Sequence, residues 1–418
     1  AMTVPRSATG PLVSRLKLMS GMDIAERRRP QDGRARFSGA QGRNLDLRLS
    51  SLPSMHGEDI VIRLLRKGVE QLGIDEVGLS PEQLGIARSV VERPQGLVLI
   101  TGPTGSGKTS TLYALLAHLA SETRKIITVE DPVEYELPGV NQTQVNERIG
   151  FTFARALRTV LRQDPDVVMV GEIRDPETAE LAMQASLTGH LVLSTLHTND
   201  APSAIVRLRD LGIPGYLIAS SLSLVLAQRL VRTVCGGCGR PATPSAAHLE
   251  QAGVAPADAE AADFRAGEGC EACSGTGYVN RRGLFEALKI DAAVRELVAN
   301  QAAEGALRRA ARAAGLRGLR EDGVAKAMRG ITTLEEVLRV SPVDDADDGA
   351  CPMCARAIEP HFTVCPWCAA PLAARSCASC QRELHADWRA CPSCAAPTDA
   401  GPSGQETHAL HVVAQRPS

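Results

Sequence analysis

The sequence predicts an α/β fold built around a mostly parallel sheet, with smaller cysteine-bearing modules behind it. Three observations carry this prediction. Between Leu97 and about Leu230, short apolar runs alternate with amphipathic segments of helical period, the pattern of a sheet covered on both faces by helices. The first run enters a glycine-rich loop, LVLITGPTGSGKT at residues 97–109, which has the spacing of a phosphate-binding loop. All twelve cysteines fall in six C-x-x-C pairs, the ligand spacing of zinc modules rather than of a disulfide framework.

Residues 1–75 form the first unit. They are rich in Arg and Gly, and LDLRLSSLP and EDIVIRLLRK read as strands, so the unit is expected to be a small α+β domain. SPEQLGIARSVVERP then combines a Ser N-cap with Pro at the first helical position and reads as a helix. Residues 76–230 are the phosphate-loop domain. Its strands are LVLIT, KIITVE, DVVMVGE and HLVLSTLH, and its helices lie near 108–120, 151–162, 176–188 and 201–211. A cysteine module occupies 231–285, a helical Ala/Leu/Arg-rich region 286–341, and an acidic linker 342–350. Residues 351–396 repeat one pattern twice, CPMC and CPWC and then CASC and CPSC, each pair separated by ten residues; this predicts two stacked zinc ribbons. Residues 397–418 are polar and read as disordered.

Composition narrows the function. Hydrophobic residues make up 44% of the chain and aromatics 3%, and the net charge is −2. Leu, Val, Ile and Ala must therefore fill the cores, and nothing in the charge favours a nucleic-acid partner. No apolar run reaches the ~18 residues of a membrane span. The N-terminus lacks the apolar segment of a signal peptide, so the expectation is a cytoplasmic protein that meets a membrane only through partners.

In the phosphate loop, Gly102, Gly105 and Gly107 let backbone N–H groups close on an anion. Lys108 can reach the β and γ phosphates, and the Thr109 hydroxyl can hold Mg²⁺. Acidic residues follow at predicted strand ends. Glu130, with Asp131 and Glu134 nearby, is a candidate for Mg²⁺ or water, and Asp131, before Pro132, shapes the turn. Glu172 ends the strand DVVMVGE, where such ATPases place the residue that orients water. His190 and His197 bracket a further strand, and His197 is the γ-phosphate sensor candidate. Arg48, Arg63, Arg158 and Arg162 are candidate cations for a neighbouring subunit's phosphate.

GPTGSGKTSTLYA, TVEDPVEYELPGVNQTQVN, LRQDPDVVMVGEIRDPETAELAMQASLTGHLVLSTLHTND and LAQRLVRTVC together resemble the type II secretion and type IV pilus assembly ATPases over roughly residues 11–341. The resemblance implies a RecA-like P-loop core preceded by a partial pre-motor domain. It implies that Gly102, Pro103, Thr104, Gly105, Ser106, Gly107, Lys108, Thr109 and Ser110 bind ATP with Mg²⁺. Glu130 becomes the aspartate-box acid, Glu172 the catalytic Walker B glutamate, and His190 and His197 the histidine-box pair. Arg48 and Arg63 match pre-motor arginines that reach phosphates at a subunit boundary, and Arg158 and Arg162 match the family's other functional arginines. The implied assembly is a hexamer, peripheral to the inner membrane, acting on pseudopilus or pilus subunits through secretion or pilus platform proteins. The cysteine module and LREDGVAKAMRGITTLEEVLRV are similar to the extension and secretion motors. Relative to that family the chain is expected to lack the earlier pre-motor strands and the partner-docking domain, and to add residues 351–396.

Zn²⁺ is expected at Cys235, Cys238, Cys270 and Cys273, in a closed structural site. The repeat assigns Cys351, Cys354, Cys365 and Cys368 to a second site, and Cys377, Cys380, Cys391 and Cys394 to a third, because short loops favour local closure. With few Lys/Arg and an acidic leader, the ribbons suit protein docking better than nucleic acid. Two other readings remain in the sequence: a nucleic-acid-translocating ATPase with zinc-ribbon contacts, and a non-catalytic regulatory binding module.

Overall fold

A computed structural model describes residues 3–38, 44–66 and 72–341; beyond these it describes only residues 362, 364–365, 375–376, 379–380, 383–384, 393–394 and 396. The chain divides into two units, residues 1–343 and 344–418.

The first unit opens with helix α1 (Arg6–Met19) and a three-stranded antiparallel sheet, β1 (Gln31–Ser38), β2 (Asn44–Ser54) and β3 (Gly57–Arg66), in the order β1-β2-β3. Strand alternation sorts its faces. Ala35, Leu47 and Leu49 pack with Met22 on one face, and Leu16 of α1 packs against them. On the other face Arg34, Arg48 and Arg63 stand in one cross-strand row. Lys17 of α1 is buried in an ion pair with Glu58 of β3, and its Nζ also donates to Glu26 O at 2.6 Å. Helix and sheet are thereby pinned together without a large core.

Helix α2 (Pro81–Val91) begins as its sequence predicts. The Ser80 side chain accepts from the Gln83 amide, and the Gln83 side chain accepts from the Ser80 amide, a reciprocal cap. Gln83 also donates to Phe285 O at 2.8 Å, so the cap doubles as an anchor to the main sheet. That sheet contains β4 (Gly96–Thr101), β5 (Ile126–Glu130), β6 (Val140–Gln144), β7 (Val167–Val170), β8 (Leu191–Leu196), β9 (Leu222–Val234) and, beyond the cysteine module, β12 (Tyr278–Lys289). The strand order is β12-β9-β4-β8-β7-β5-β6. Only β12 runs antiparallel. The central strands β4, β5, β7 and β8 are buried at every position, which is why they read as continuous apolar runs.

The two faces form separate cores. One holds α2 and α3 (Lys108–Leu119). The other holds α4 (Phe153–Val160), α5 (Pro176–Leu187), α6 (Ala201–Asp210) and α7 (Gly215–Ser221), with α10 (Ala292–Ala299) and α11 (Glu304–Ala313) packed beyond. The sequence expectations for β4, β5, β7, β8 and the four helices between them match these elements. The strand β9 and helix α7 were not expected. The strand's polar residues Gln228, Arg229 and Arg232 broke the apolar run.

The sheet also continues through the region expected to be a separate module. β9 and β12 form one long antiparallel pair, and the cysteine segment is inserted at its tip. That insertion carries β10 (Gly239–Pro241), paired with β11 (Arg265–Gly267), and the short helices α8 (Ala246–Gln251) and α9 (Pro256–Ala261). Helices α12 (Leu319–Ala327) and α13 (Leu334–Val340) close the unit against the same two strands. In the second unit, β13 (Arg375–Ser376) pairs with β14 (Glu383–Leu384).

Two buried ionic contacts hold α12 and α13. Asp322 and Lys326 pair in the interior. The Asp322 carboxylate accepts from Phe285 N at 2.8 Å, and Lys326 Nζ donates to Gly283 O at 2.9 Å. Burial pushes the Asp322 carboxyl up and the Lys326 ammonium down, and their mutual attraction opposes both shifts. Glu336 of α13 is 2% exposed and accepts from both Arg232 and Arg339. Burial alone would raise its carboxyl, but the hydrogen bonds from Arg339 and Arg232 hold it at about 2.

Removing one partner of a buried pair strands the other charge. Asp322→Ala is therefore expected to cost about 3–5 kcal/mol in denaturant unfolding, and the double change Asp322→Ala, Lys326→Met to cost less. Because the Glu336 value is depressed from 4.5 to about 2, its contribution is complete above 4.5 and is lost as pH falls from 4.5 towards 2. Glu336→Gln should flatten that acid limb of the stability profile, measured by thermal melting between these pH values.

Candidate functional site

The phosphate loop leaves β4 at Thr101 and enters α3 at Lys108, at the carboxyl end of the parallel sheet. This is where open α/β sheets bind ligands. Two glycines are fixed by contact as well as by backbone angle. Gly102 has φ +148°, and a Cβ there would meet Gln228 O at 2.4 Å. Gly107, the left-handed N-cap of α3 at φ +88°, would meet Gln228 Nε2 at 2.9 Å. Gln228 in turn accepts from Thr111 Oγ1 at 2.9 Å. Strand β9 thus presses directly against the loop.

The loop's polar atoms fit an anion. Lys108 Nζ is turned back onto its own loop, donating to Gly102 O at 2.8 Å and Pro103 O at 3.1 Å. Burial lowers the Lys108 ammonium, Glu172 opposes that shift, and Arg229 adds to it. The Ser106 hydroxyl is buried with no hydrogen-bond partner among the described residues. Thr109 and Ser110 are exposed at the start of α3, open to a phosphate-bound Mg²⁺. A triphosphate would supply acceptors for Lys108 and Ser106, and Mg²⁺ would neutralise the phosphate charge.

Glu172 follows β7, two strands from β4. It is half-sequestered at 15% exposure, with one oxygen 2.5 Å from Arg174 Nη2 and the other 3.5 Å from His197 Nε2. His197 follows β8, the strand between β4 and β7. The structure therefore gathers Lys108, Glu172 and His197 at neighbouring strand ends.

Other predicted residues are placed elsewhere. His190 precedes β8, at the amino end, where its carbonyl accepts from Gly96 N and its Nδ1 lies 3.0 Å from Ala185 O. One strand length, roughly 17 Å, separates that end from the loop, so His190 fastens the turn after α5. Glu130 is buried. It accepts from Tyr113, from Thr128 Oγ1 at 2.5 Å and from Gln142 Nε2 at 3.1 Å, and burial together with Glu130 raises the Tyr113 phenol. With both oxygens engaged, Glu130 joins β5, β6 and α3, whereas Asp131 is exposed in the adjoining cleft.

That cleft, about 700 Å³, lies between the three-stranded sheet and the main sheet, and includes Arg34, Arg48, Asp131, Gln144, Glu147 and Arg148. Arg63 stands beside Arg48 in the cross-strand row and is exposed. Neither the Arg48 nor the Arg63 side chain has a hydrogen-bond partner among the described residues. Arg158 is committed to Glu177 at the start of α5, and Arg162 is exposed just beyond α4.

Sequence reasoning missed Gln228, Arg229 and Arg174. Arg229 donates to Asn199 Oδ1 at 2.9 Å, and burial lowers its guanidinium. It borders a second cavity, about 520 Å³, that runs from Pro103–Ser106 to Arg232, Arg281 and Arg339. The polar pair interrupting the apolar strand SLVLAQRLV was the available signal.

The metal site is the clearest geometry. The sulfur atoms of Cys235, Cys238, Cys270 and Cys273 all lie within 4.8 Å of one another. Three of the separations are 3.8, 3.8 and 3.7 Å. A tetrahedron with Zn–S bonds of about 2.3 Å has edges of about 3.8 Å, so the sulfurs fit zinc. The amides of Gly269, Cys270 and Gly277 donate to Sγ atoms at 3.1–3.3 Å, as suits thiolates. The Cys270 amide heads the causes that lower Cys273 to about 6, whereas burial pushes Cys238 up to about 12. Four crowded sulfurs in such a site ionise together only around a cation. Of the tail cysteines, Cys365, Cys380 and Cys394 are described, but Cys351, Cys354, Cys368, Cys377 and Cys391, and hence the second and third sites, lie outside the described residues.

A glycine-built phosphate loop at the end of a parallel sheet, faced by a carboxylate and a histidine from adjacent strand ends, defines a RecA-like P-loop ATPase. Residues 2–339 match the family described as Type II/IV secretion system protein, and residues 351–395 match the double zinc ribbon. The chain belongs to the Type II/IV secretion system protein family. It is 53% identical to the type II secretion system protein HxcR of Pseudomonas aeruginosa, over 81% of this chain and 68% of that one. It is 48% identical to the type IV pilus assembly ATPase PilB of Thermus thermophilus, over 80% of this chain and 38% of that one. Among solved structures, the pilus retraction motor PilT with bound ADP superposes with a TM-score of 0.56 at 27% identity, covering 81% of this chain and 85% of that one. No helix among the described residues is long and apolar enough to cross a membrane.

The four-sulfur site predicts that Cys238→Ser lowers the zinc content by about one ion per chain, measured by elemental analysis. The phosphate loop, residues 102–107, should otherwise keep its nucleotide affinity if the metal is purely structural.

Proposed function

We propose that this chain is an ATP-hydrolysing motor that powers assembly of a pseudopilus or pilus, in type II protein secretion or type IV pilus biogenesis. The observation that carries the reading is the placement of Glu172 and His197 beside the phosphate loop that bears Lys108, in a chain about half identical to secretion and pilus ATPases.

The chain's own groups divide the work. Backbone N–H groups of Gly105–Lys108 and the Lys108 ammonium bind the phosphates. Thr109 would hold Mg²⁺, which would supply charge neutralisation. Glu172 orients the attacking water by accepting its hydrogen bond, and His197 reports the γ-phosphate from the neighbouring strand. Arg48 and Arg63, whose side chains have no hydrogen-bond or ion-pair partner among the described residues, are the arginines we assign to a nucleotide held at a subunit boundary. A ring of six copies is the assembly this arrangement suits. Cleft closure between the three-stranded sheet and the main sheet would then convert nucleotide state into motion. Inner-membrane platform proteins are the proposed partners, met from the cytoplasmic side, and the double zinc ribbon is a protein-docking element.

The test is steady-state ATP turnover by the intact chain beside two variants. Lys108→Ala and Glu172→Gln are each expected to lower kcat by about 100-fold or more, with Glu172→Gln keeping nucleotide affinity. Equal background rates in all three proteins would eliminate the motor reading.

A further inference from the structure

His197 sits on a short strap, residues 197–200, that joins β8 to α6. Each of its residues is tied to something. His197 Nε2 lies 3.5 Å from Glu172 Oε2. The Thr198 amide donates to Thr101 Oγ1 at 2.8 Å, and Thr101 is the last residue of β4, directly before Gly102. Asn199 Oδ1 accepts from Arg229 at 2.9 Å. The tie at Asp200 has a different origin, because it comes from the helical C-terminal region.

The two oxygens of Asp200 serve two partners. Oδ1 accepts from Ser203 N at 2.8 Å and so caps α6. Oδ2 accepts from Arg308 Nη2 at 3.0 Å, and the same nitrogen donates to Glu304 Oε1 at 2.8 Å. Arg308 belongs to α11, and its side chain is 12% exposed, against 17% for Asp200. A pair at that depth is screened less by water and salt than one on the surface. Helix α11 is seated by other contacts. Leu307 and Ala311 are buried in the core beneath it, and Arg209 of α6 donates at 2.7 Å to the carbonyl of Ala302, just before α11. The charged contact of Arg308 is therefore not what keeps its own helix in place; it is directed at the strap.

We propose that Arg308 is a positioning residue for hydrolysis: through Asp200 it fixes the strap, and with it the place of His197 against Glu172. The inference rests on the ATPase reading and extends the phosphate site to a helix of the C-terminal region. Without Arg308 the strap keeps its anchor at Thr101 but loses the charged one at its far end, and His197 is next in sequence to the remaining anchor. A displacement of about 1 Å at a reacting centre can cost as much as 100-fold in rate, so a loosened strap is felt at the γ-phosphate while the phosphate loop itself is untouched.

The experiment measures ATP turnover, ADP affinity and thermal melting of the intact chain beside Arg308→Gln, Arg308→Lys, Asp200→Asn and the double variant Asp200→Asn, Arg308→Gln. Asn caps a helix about as well as Asp, so Asp200→Asn keeps the α6 cap and removes only the charge that Arg308 holds. The proposal expects Arg308→Gln and Asp200→Asn each to lower kcat about tenfold, with KM and ADP affinity unchanged. The double variant should be no slower than either single one, since all three remove the same contact, and Arg308→Lys should recover most of the native rate. Adding Arg308→Gln to His197→Gln should bring little further loss in single-turnover rate. A kcat within about twofold of native in either charge variant overturns the proposal, as does a fall that adds up in the double variant or recurs in full on top of His197→Gln. A lower melting temperature with weakened ADP binding and no rescue by Lys assigns Arg308 a merely structural role and also overturns it. Native turnover with any of these outcomes leaves the ATPase reading standing; no turnover in the native chain removes both.

Discussion

The nucleotide end of the molecule depends on one close approach, that of β9 to the phosphate loop. The Gln228 carbonyl and amide occupy the space that side chains at positions 102 and 107 would need. The loop can adopt its curled path only because those positions are glycine. The same Gln228 reaches Thr111 in the helix that the loop feeds. Strand, loop and helix are therefore fixed by one side chain and two missing ones. Lys108, Glu172 and His197 gain their mutual geometry from this frame, since Glu172 and His197 follow the ends of fully buried strands and Lys108 opens the helix that the loop feeds.

Much of that frame was legible in the sequence because its determinants are local. The glycine spacing, the Ser80 cap with Pro81, and the continuous apolar runs of β4, β5, β7 and β8 each express a rule that operates over a few residues. Direction along a strand was harder. His190 and His197 bracket the same apolar run, and only the parallel sheet decides which of them stands at the carboxyl end. Glu130 illustrates a second limit. A carboxylate at a strand end reads as available, but Tyr113 and Gln142 come from distant positions to engage it. Arg174 escaped notice because nothing local distinguishes a guanidinium aimed at a site from one aimed at water, whereas Arg229 was marked by the break it makes in an apolar run.

The helical C-terminal region shows how little polarity says about position. Glu336 and Asp322 are carboxylates in amphipathic helices rich in charge, yet both are buried. Each is held by backbone or arginine donors from β9 or β12, which converts two surface-looking helices into extensions of the main sheet. The arginine row on the three-stranded sheet is the opposite case. Arg48 and Arg63 stood out in the sequence as candidate cations, but Arg34 did not, and cross-strand register alone sets the three side by side on one face.

The cysteine knuckle lies at the tip of the β9–β12 pair, and Cys235, the residue just past the end of β9, is only seven residues from Gln228. A paired ribbon of that kind is stiff along its length, and the metal-ligating sulfurs tie off its open end. Anything that grips the knuckle therefore holds one end of a rod whose other end forms the wall of the phosphate loop. A docking event there and the occupancy of the loop become two loads on a single beam.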